Sequence, residues 1–316
     1  MARTARLGIA LAAALFAGSA RALDVDGTVA ALRSLRASYE RSPAGLPVRF
    51  DLSLTAWQAT PRGLVLAGDR TPDEEDPYVL THPIFRFVWA DGGVLLVDAG
   101  LSPGEAVGFG RATRWLGAGL VACGRDAFAG IPPASVRGTL FSHLHVDHVD
   151  GLRALCREGA AIPVRVSPEQ RASGERFERV GREALDELTR AGCVREEPWE
   201  VTGEGLAAPG IAGFPGIHRV AVPGHTPGSQ IVVGYLASPR GPPRAVVVAG
   251  DVVNHRAGLR HDRPKPWWYR RLLVREDDAL QAANRALLAR LARDGFEIQV
   301  NHHVPVPEGA PETPCR

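Results

Sequence analysis

Lysine and methionine are almost absent from this chain of 316 residues, in which Lys265 is the only lysine and methionine occurs once. We attach no function to this bias, which is typical of a GC-rich bacterial genome. Excess charge is also lacking, since 37 Lys and Arg face 35 Asp and Glu, for a formal net charge of +2. The net charge therefore gives no overall electrostatic attraction to nucleic acid or anionic lipid, and a small molecule is the expected partner.

The N-terminal apolar stretch, residues 7–17, is too short to cross a bilayer. It follows Arg3 and Arg6 and precedes the small-x-small triplet A-R-A at residues 20–22. This pattern predicts a signal peptide over residues 1–22. We therefore expect a periplasmic or secreted bacterial protein with no stable membrane anchor after cleavage, with a retained interfacial anchor as the alternative. The sequence indicates no oligomeric state.

Paired cysteine motifs are missing as well. The four cysteines include no C-x-x-C pair, which argues against a zinc knuckle or a thioredoxin-like centre. An oxidising periplasm permits one or two disulfides among them, in any of three connectivities. Isolated, partly buried thiols are the alternative. The residues concerned are Cys123, Cys156, Cys193 and Cys315.

The composition, 45% hydrophobic and 23% charged, is that of a globular protein and excludes disorder and collagen-like repeats. We predict a helical lead-in over residues 23–49, with a helix over 29–41, and one α/β domain over 50–316. The turn residues D-G-G at 91–93 between two apolar runs predict a hairpin. Further helices are expected at 149–157, 168–191 and 276–293, and further strands at 51–67 (broken at 60–63), 138–142, 217–222, 230–235, 245–249 and 297–300.

The run S-H-L-H-V-D-H at residues 142–148 is the most informative feature of the sequence. His143 and His145 can project to one side of an extended segment, while Asp147 and His148 stand where a turn can aim them at a second point. Packing alone does not cluster so many costly polar groups beside an apolar strand. Imidazole and carboxylate ligands predict zinc or a comparable divalent ion.

Further candidate ligands each follow a predicted strand, as in loops that carry function. His225 stands in the tight turn P-G-H-T-P-G-S, in which Thr226 and Ser229 are available to hydrogen-bond the ligands. Asp251 ends an apolar strand. The last candidate is one of the adjacent residues 302 and 303; strand alternation sends them to opposite sides, and we favour His302.

With these residues the chain resembles the metallo-β-lactamase superfamily of metal-dependent hydrolases. The resemblance rests on the H-x-H-x-D-H run, the P-G-H-T-P-G-S run, the G-D at 250–251 and the late His302, which occur in family order. It covers roughly residues 50–305. It implies an α/β fold of four layers, an αββα sandwich of two packed mixed β-sheets with helices outside and metals at one edge.

The resemblance also implies a role for each candidate. Asp251 would bridge the two metals, and Asp98 resembles an early aspartate of the family that supports the ligands without binding a metal. Asp150 stands where a glycine commonly follows the motif, which predicts a different start for the next helix. The first metal would be bound by His143, His145 and His225, and the second by Asp147, His148 and His302.

This ligand set predicts a dinuclear hydrolase with two divalent ions, zinc in the first place and iron or manganese as alternatives. The ions would lower the pKa of a bridging water and supply a hydroxide nucleophile. Asp147 would orient the hydroxide and relay its proton, so Asp147 and Asp251 are the candidate catalytic residues. We predict cleavage of a small ester, lactone or related bond by an exported enzyme.

Asp251 argues against the β-lactamase branches of the family, which carry Cys or Ser at that position. Lactonases of acyl-homoserine signals, glyoxalase-type thioesterases and organophosphate hydrolases keep the aspartate. The lactonases often add a tyrosine three residues later, where this chain has Asn254, and Tyr269 could substitute from a loop. A glyoxalase-type site would need a C-terminal basic cluster, and Arg316 is the only basic residue after residue 294.

Three consecutive aromatic residues, Trp267, Trp268 and Tyr269, could wall an apolar substrate pocket. Covering the edge of the core is the alternative. The histidines at 82, 218, 255 and 261 are expected to be structural, with His255 as the first candidate for an exception.

Two other functions stay open at this point. A mononuclear iron oxidoreductase of the persulfide dioxygenase type would bind one iron and consume oxygen. A periplasmic β-lactamase is the other alternative. The dinuclear hydrolase predicts two metals per chain.

Overall fold

Two β-sheets stacked face to face form the centre of the structure, a computed structural model that describes residues 23–72, 74, 77–124, 131–156, 161–306 and 314–315. The predicted signal peptide, residues 1–22, lies outside the described residues. The first sheet consists of β1 (Arg49–Thr60), β2 (Tyr78–Val88), β3 (Val94–Val97), β4 (Val121–Cys123) and β5 (Val136–Leu140). Its strands lie in the order β4-β1-β2-β3-β5, and the β3–β5 pair is parallel.

The second sheet is also mixed, because one of its pairs is parallel and the others are antiparallel. A separate parallel pair, β6 (Ile162–Val164) and β7 (Val194–Glu196), lies before it in the chain. The second sheet consists of β8 (Val201–Thr202), β9 (Gly210–Ile211), β10 (Ile217–Ala221), β11 (Gln230–Leu236), β12 (Arg244–Val248) and β13 (Glu297–Gln299). These strands lie in sequence order, and β12 and β13 are the parallel pair.

The inner faces of the two sheets share one hydrophobic core. Phe85 and Phe87 of β2 pack in the same cluster as Val246 and Val248 of β12. Successive residues of a strand point to opposite faces, so alternate positions reach this core. A Cβ at Gly234 would lie 2.1 Å from the Phe87 ring, and the glycine therefore makes room for that ring between the sheets.

Helices cover both outer faces. Leu32 and Leu288 pack with Val233 on the outer face of the second sheet, and Leu152 and Leu185 pack on that of the first. The described helices are α1 (Val25–Arg41), α2 (Pro103–Arg114), α3 (Val146–Val149), α4 (Leu152–Leu155), α5 (Pro168–Ala172), α6 (Arg176–Arg190), α7 (Arg256–Arg260) and α8 (Asp278–Arg293). The predicted four-layer fold is confirmed, while the division at residues 22 and 49 stays a prediction.

The single helix expected over residues 168–191 is wrong, because two helices occupy this segment. Ser167 and Gln170 form a capping box at the start of α5, and Glu175 caps α6 by accepting hydrogen bonds from the backbone N–H groups of residues 177 and 178. Each cap satisfies N–H groups that a helix leaves free at its start. The strand expected over 51–67 likewise ends at Thr60, since Pro61 begins a 3-10 turn there.

Two disulfides decide the question that the sequence left open. Cys123 pairs with Cys315, and Cys156 pairs with Cys193. Next to the first disulfide, the backbone N–H of Cys315 donates a hydrogen bond to the carbonyl of Val121 at 3.0 Å. No helix in the described part of the chain is long and apolar enough to span a membrane.

Candidate metal centre

Loops at one edge of the sandwich bring the predicted ligands together. The run at residues 142–148 leaves the end of β5, and the Asp251 and His302 segments leave the parallel ends of β12 and β13. Val232 of β11 pairs with Val248 of β12, which places the β10–β11 turn with His225 beside the end of β12. Sheet register therefore assembles residues that are distant in the chain.

A first group consists of three of the histidines expected from the sequence as ligands of one metal, and the structure brings them together. Donor atoms of His143, His145 and His225 lie within 4.8 Å of one another. Nδ1 of His145 is 3.3 Å from Nε2 of His225, and the rings of His143 and His225 are 4.7 Å apart. Three imidazoles at these separations form a ligand set suited to zinc.

A second group lies beside the first. Oδ2 of Asp147 is 3.8 Å from Nε2 of His148 and 3.5 Å from Nε2 of His302. His82 of β2 also belongs here, because its Nδ1 lies 3.5 Å from the same carboxylate oxygen. A structural role is expected for His82 from the sequence, whereas the fold brings its ring into this group.

Asp251 stands between the two groups and turns one oxygen toward each. Its Oδ2 lies 3.5 Å from Nε2 of His225, and its Oδ1 lies 3.1 Å from Nε2 of His302 and 3.4 Å from Nε2 of His148. This is the placement that the bridging role requires.

Buried polar atoms without partners test whether the residues fit metal ions. Nε2 of His143, Nε2 of His148 and Oδ1 of Asp251 have no hydrogen-bond partner among the described residues. Leaving such atoms unpaired costs about 1–3 kcal/mol each. A divalent ion in each group would satisfy these atoms at once, so the side chains fit the two ions that the family resemblance implies.

Asp98 contacts His148 of the second group but lies outside the clusters of candidate ligands. Its carboxylate accepts hydrogen bonds from the backbone N–H and hydroxyl of Ser142, at 2.7 and 2.8 Å, and lies 2.9 Å from Nδ1 of His148. Donation from Nδ1 leaves Nε2 of His148 facing Asp251. Asp98 itself has a φ of 57°, a left-handed conformation that aspartate tolerates better than most residues.

The structure also separates the two adjacent histidines near the C-terminus. Nδ1 of His302 lies 2.9 Å from the carbonyl oxygen of Thr81, which leaves its Nε2 toward Asp251. His303 turns away, accepts a hydrogen bond from the backbone N–H of Arg256 at 3.0 Å and packs against the ring of His255. His302 therefore lies in the cluster, and His303 and His255 lie outside it.

Charged residues that stand in no sequence motif contact the histidines of the first group. Glu276 accepts a hydrogen bond from Nδ1 of His225 at 2.6 Å and pairs with Nζ of Lys265 at 2.7 Å. Glu175, the cap of α6, lies 3.3 Å from Nε2 of His145. Partners of this kind fix the orientation and the tautomer of a metal-binding imidazole.

The charges at the centre suit metal binding. Burial and the nearby Lys265 ammonium lower the pKa of His225 to about 4, which leaves this imidazole neutral at neutral pH. Burial would raise the pKa of Asp251, but His302 and Lys265 hold it well below its usual range. Burial lowers the pKa of His148, yet Asp98 and Asp147 hold it well above its ordinary value. A metal ion must therefore displace a proton from His148 when it binds.

Thr226 and Ser229 shape the turn that carries His225. The Thr226 hydroxyl donates to Oε1 of Glu178 at 2.8 Å, and Oγ of Ser229 accepts a hydrogen bond from the backbone N–H of Thr226 at 3.1 Å. Gly224 has a φ of 137°, which few side-chain-bearing residues adopt. The described contacts of Thr226 and Ser229 therefore hold the turn, while Glu276 contacts the ligand ring.

The aromatic segment divides between the centre and the surface. The Tyr269 ring lies parallel to that of His225 at 6.4 Å, and burial together with Asp251 and Glu276 raises the pKa of its hydroxyl well above 10.0. Trp268 is half-buried against Tyr269, whereas Trp267 is 63% exposed. Tyr269 thus lies closest to the predicted substrate site.

Asp150 stands where the family commonly has a glycine. Its side chain links the run at residues 142–148 to Ser102, which caps the start of α2. Its carboxylate accepts hydrogen bonds from the backbone N–H and the hydroxyl of Ser102 and from Nε of Arg153. The expected single helix over 149–157 is accordingly replaced by the short helices α3 and α4. A buried aspartate with three donors explains how a charged residue is tolerated where glycine is common.

A comparison with protein families agrees with this geometry. The model of a family described as the metallo-beta-lactamase superfamily matches residues 87–300, more than half of the chain. A search of curated proteins finds no significant match.

Solved structures share the fold over most of their length. AiiA of B. thuringiensis, solved with N-decanoyl-L-homoserine at its active site, is 16% identical, with 81% of this chain and 94% of that chain covered and a TM-score of 0.53. An N-acyl homoserine lactone hydrolase with its product at the catalytic metal centre is 17% identical (81% and 94% covered, TM-score 0.52). AidC, a dizinc quorum-quenching lactonase, is 13% identical (84% and 90% covered, TM-score 0.50). At these identities the similarity shows a common fold.

Proposed function

Because the chain belongs to the metallo-beta-lactamase superfamily, we propose that its cluster binds two zinc ions and cleaves a small ester or lactone outside the cytoplasm. By this membership, the predicted metal-dependent hydrolase activity is confirmed. The number of ions, the substrate class and the export of the protein are the parts that we propose.

The observation that carries the proposal is the position of Asp251, with one carboxylate oxygen toward each group of ligands. A single metal site would leave one of these groups of buried donors without an ion. Two divalent ions, when bound, polarise a substrate carbonyl and lower the pKa of water so that it attacks at neutral pH.

Protein groups supply the remaining steps. The Asp147 carboxylate lies in the second group, and His148 and His82 hold its pKa below the usual range against the opposing effect of burial. It is therefore a charged acceptor that can orient a water and receive its proton. Tyr269 keeps its hydroxyl proton, because its pKa is raised, and it can donate a hydrogen bond to the substrate.

A cavity next to His225 has leucine side chains on one side and the charged residues Glu175, Arg176, Arg275 and Asp277 around it, so it can take a substrate that combines an acyl chain with a polar head group. This cavity has a volume of about 660 Å³ and is lined in part by His225, Leu272, Leu273, Val274 and Leu280. Acyl-homoserine products bound to structures of the same fold support a lactone of this kind. Asp251, in place of Cys or Ser, weighs against the β-lactamase alternative.

The test combines metal analysis with a substrate panel on the periplasmically expressed protein. We expect two zinc ions per chain, cleavage of N-hexanoyl- and N-decanoyl-homoserine lactones and aryl esters, and at least a 100-fold loss of activity in Asp251→Asn. Asp91→Asn, at an exposed hairpin position, is the control and should keep full activity. One iron per chain with oxygen consumption on a persulfide would instead establish the oxidoreductase.

Two disulfides support the proposal of export, since such bonds persist in oxidising compartments. The test is cell fractionation of the full chain and of a chain that begins at residue 23. We expect the full chain in the periplasm, with a mass that corresponds to cleavage after Ala22. Recovery of the uncleaved full chain in the cytoplasm with free thiols would overturn this part.

A further inference from the structure

His82 is a buried histidine of β2 at the edge of the metal centre, with 1% of its surface exposed. Its ring stands nearly perpendicular to that of Phe109 at 4.9 Å and to that of His302 at 5.2 Å. The His82 ring therefore lies between the Phe109 side chain of α2 and the second group of candidate ligands.

The backbone around His82 is held from both sides. Its carbonyl accepts a hydrogen bond from the hydroxyl of Thr55 on β1 at 3.0 Å. The carbonyl of its neighbour Thr81 contacts Nδ1 of His302, and the Thr81 hydroxyl donates to the carbonyl of Asn301 at 3.1 Å. The strand that carries His82 thus also orients a metal ligand, and the position of the His82 ring is fixed relative to His302.

Neither ring nitrogen of His82 has a hydrogen-bond partner in the described part of the chain. Its Nδ1 lies 3.5 Å from Oδ2 of Asp147, which is itself 3.5 Å from Nε2 of His302. Donor atoms of these three residues all lie within 4.8 Å of one another. A buried imidazole without a partner is rare and requires an explanation.

The separation fits a shared ion better than a hydrogen bond. Good N–H···O bonds have donor–acceptor distances of about 2.7–3.2 Å. Two ligands that are each about 2.1 Å from one ion lie roughly 3.6 Å apart at about 120°, the angle between equatorial ligands of a five-coordinate ion. The 3.5 Å between Nδ1 of His82 and Oδ2 of Asp147 is close to this second value.

We propose that His82 is a further ligand of the ion bound by Asp147 and His302. This inference rests on the proposed dinuclear centre. The two halves of the centre are then unequal, because the half with His82 offers one more donor group than the half with three histidines. That half favours an ion that accepts five or six ligands, whereas four donors suit tetrahedral zinc. Its donors are His82, Asp147, His148, His302 and one oxygen of Asp251.

The first test measures cobalt binding to the metal-free protein in wild type and in His82→Phe. Phenylalanine keeps a ring against Phe109 but has no donor atom. We expect the second Co²⁺ to bind at least tenfold more weakly in the variant, while the first binds equally well. His218→Phe is the matched control, because His218 is a buried histidine that bonds Tyr39 and the carbonyl of Ala208. It should bind both ions as the wild type does.

Cobalt absorption spectra provide a second measurement, whose decisive part is made on the wild type alone. We expect the second Co²⁺ of the wild type to add the weak absorption of a five- or six-coordinate ion, and His82→Asn to change that spectrum. An intense four-coordinate spectrum for this ion would overturn the proposal.

The outcomes also separate this inference from the proposed function. Two ions bound with equal affinity in wild type and His82→Phe would overturn the role of His82 and leave the dinuclear hydrolase standing. A wild type that binds a single ion, unaffected by His82→Phe, would overturn both.

Discussion

Nζ of Lys265 lies 2.7 Å from Oε1 of Glu276, so the only lysine of this arginine-rich chain forms a buried ion pair at the metal centre. Lys265 is 3% exposed, and its Nζ lies 3.9 Å from Oδ2 of Asp251. A compact ammonium fits this space, whereas a guanidinium is planar and needs a wider arrangement of acceptors. The pair keeps Glu276 charged, with its pKa lowered to about 2 against the effect of burial, and Glu276 in turn orients His225.

Removing Lys265 should destabilise the metal-free protein. We expect Lys265→Met to lower the free energy of unfolding by about 3–5 kcal/mol, because it leaves a buried carboxylate without its cation. Urea unfolding monitored by tryptophan fluorescence measures this change. The double variant Lys265→Met/Glu276→Gln should recover part of the loss, since it also removes the buried charge. Equal stability of wild type and Lys265→Met would contradict this account.

Asp98 should control metal affinity without binding metal. We expect Asp98→Asn to weaken binding of the second zinc ion about 10–100-fold, because the neutral amide supports Nδ1 of His148 less strongly than a carboxylate. Competition with a chromophoric chelator gives this affinity. Binding of the first ion serves as the internal control. A loss confined to the first ion would show that the assignment of ligands to the two groups is wrong.

The two disulfides should differ in their contribution to stability. The two cysteines of the Cys123–Cys315 bond are 192 residues apart in the sequence, and those of the Cys156–Cys193 bond are 37 residues apart. If a disulfide stabilises by reducing the entropy of the unfolded chain, removing the bond that closes the longer loop lowers the free energy of unfolding by about 1.5 kcal/mol more than removing the other. Guanidinium unfolding of two double Cys→Ser variants, one per disulfide, checks this difference. A larger loss of stability on removing the Cys156–Cys193 bond than on removing the Cys123–Cys315 bond would contradict the prediction.

His303 should make the metal-free protein sensitive to acid. Burial, together with His255 and Arg256, lowers its pKa to about 3 in the folded state, so the unfolded chain binds a proton more readily below pH 6.5. The stability that His303 contributes is complete above pH 6.5 and is lost as the pH falls toward 3.

The variant that tests this dependence is His303→Asn, whose side-chain oxygen can still accept the hydrogen bond from Arg256. Between pH 6.5 and 4, the wild type should lose up to about 1.4 kcal/mol more per pH unit than the variant, and less than this limit because the ring is partly exposed. Thermal or urea unfolding across this range measures the slope. An equal pH dependence of the free energy of unfolding in the two proteins would show that His303 does not cause the acid sensitivity.

Much of the fold could be predicted from local patterns. The turn at residues 91–93 and the apolar runs beside it formed the expected hairpin, and the strands at 217–221 and 230–236 lie within a residue of their predicted bounds. The helix over 168–191 was wrong, because amphipathic spacing continues across the Ser173 to Glu175 break and does not record which residue caps a helix. The disulfide pairing also required the folded chain, since four cysteines allow three connectivities.

The sequence by itself determined most of the candidate ligands, because the spacing in H-x-H-x-D-H, the Pro-Gly turn around His225 and the strand-terminal Asp251 are local arrangements that few other chemistries require. Tertiary structure alone decided what surrounds them. His82, Glu276 and Lys265 stand in no motif and become neighbours of the centre only through strand pairing and the packing of distant loops. A ligand's character is a property of its side chain, whereas its orientation and charge depend on contacts between residues far apart in the sequence.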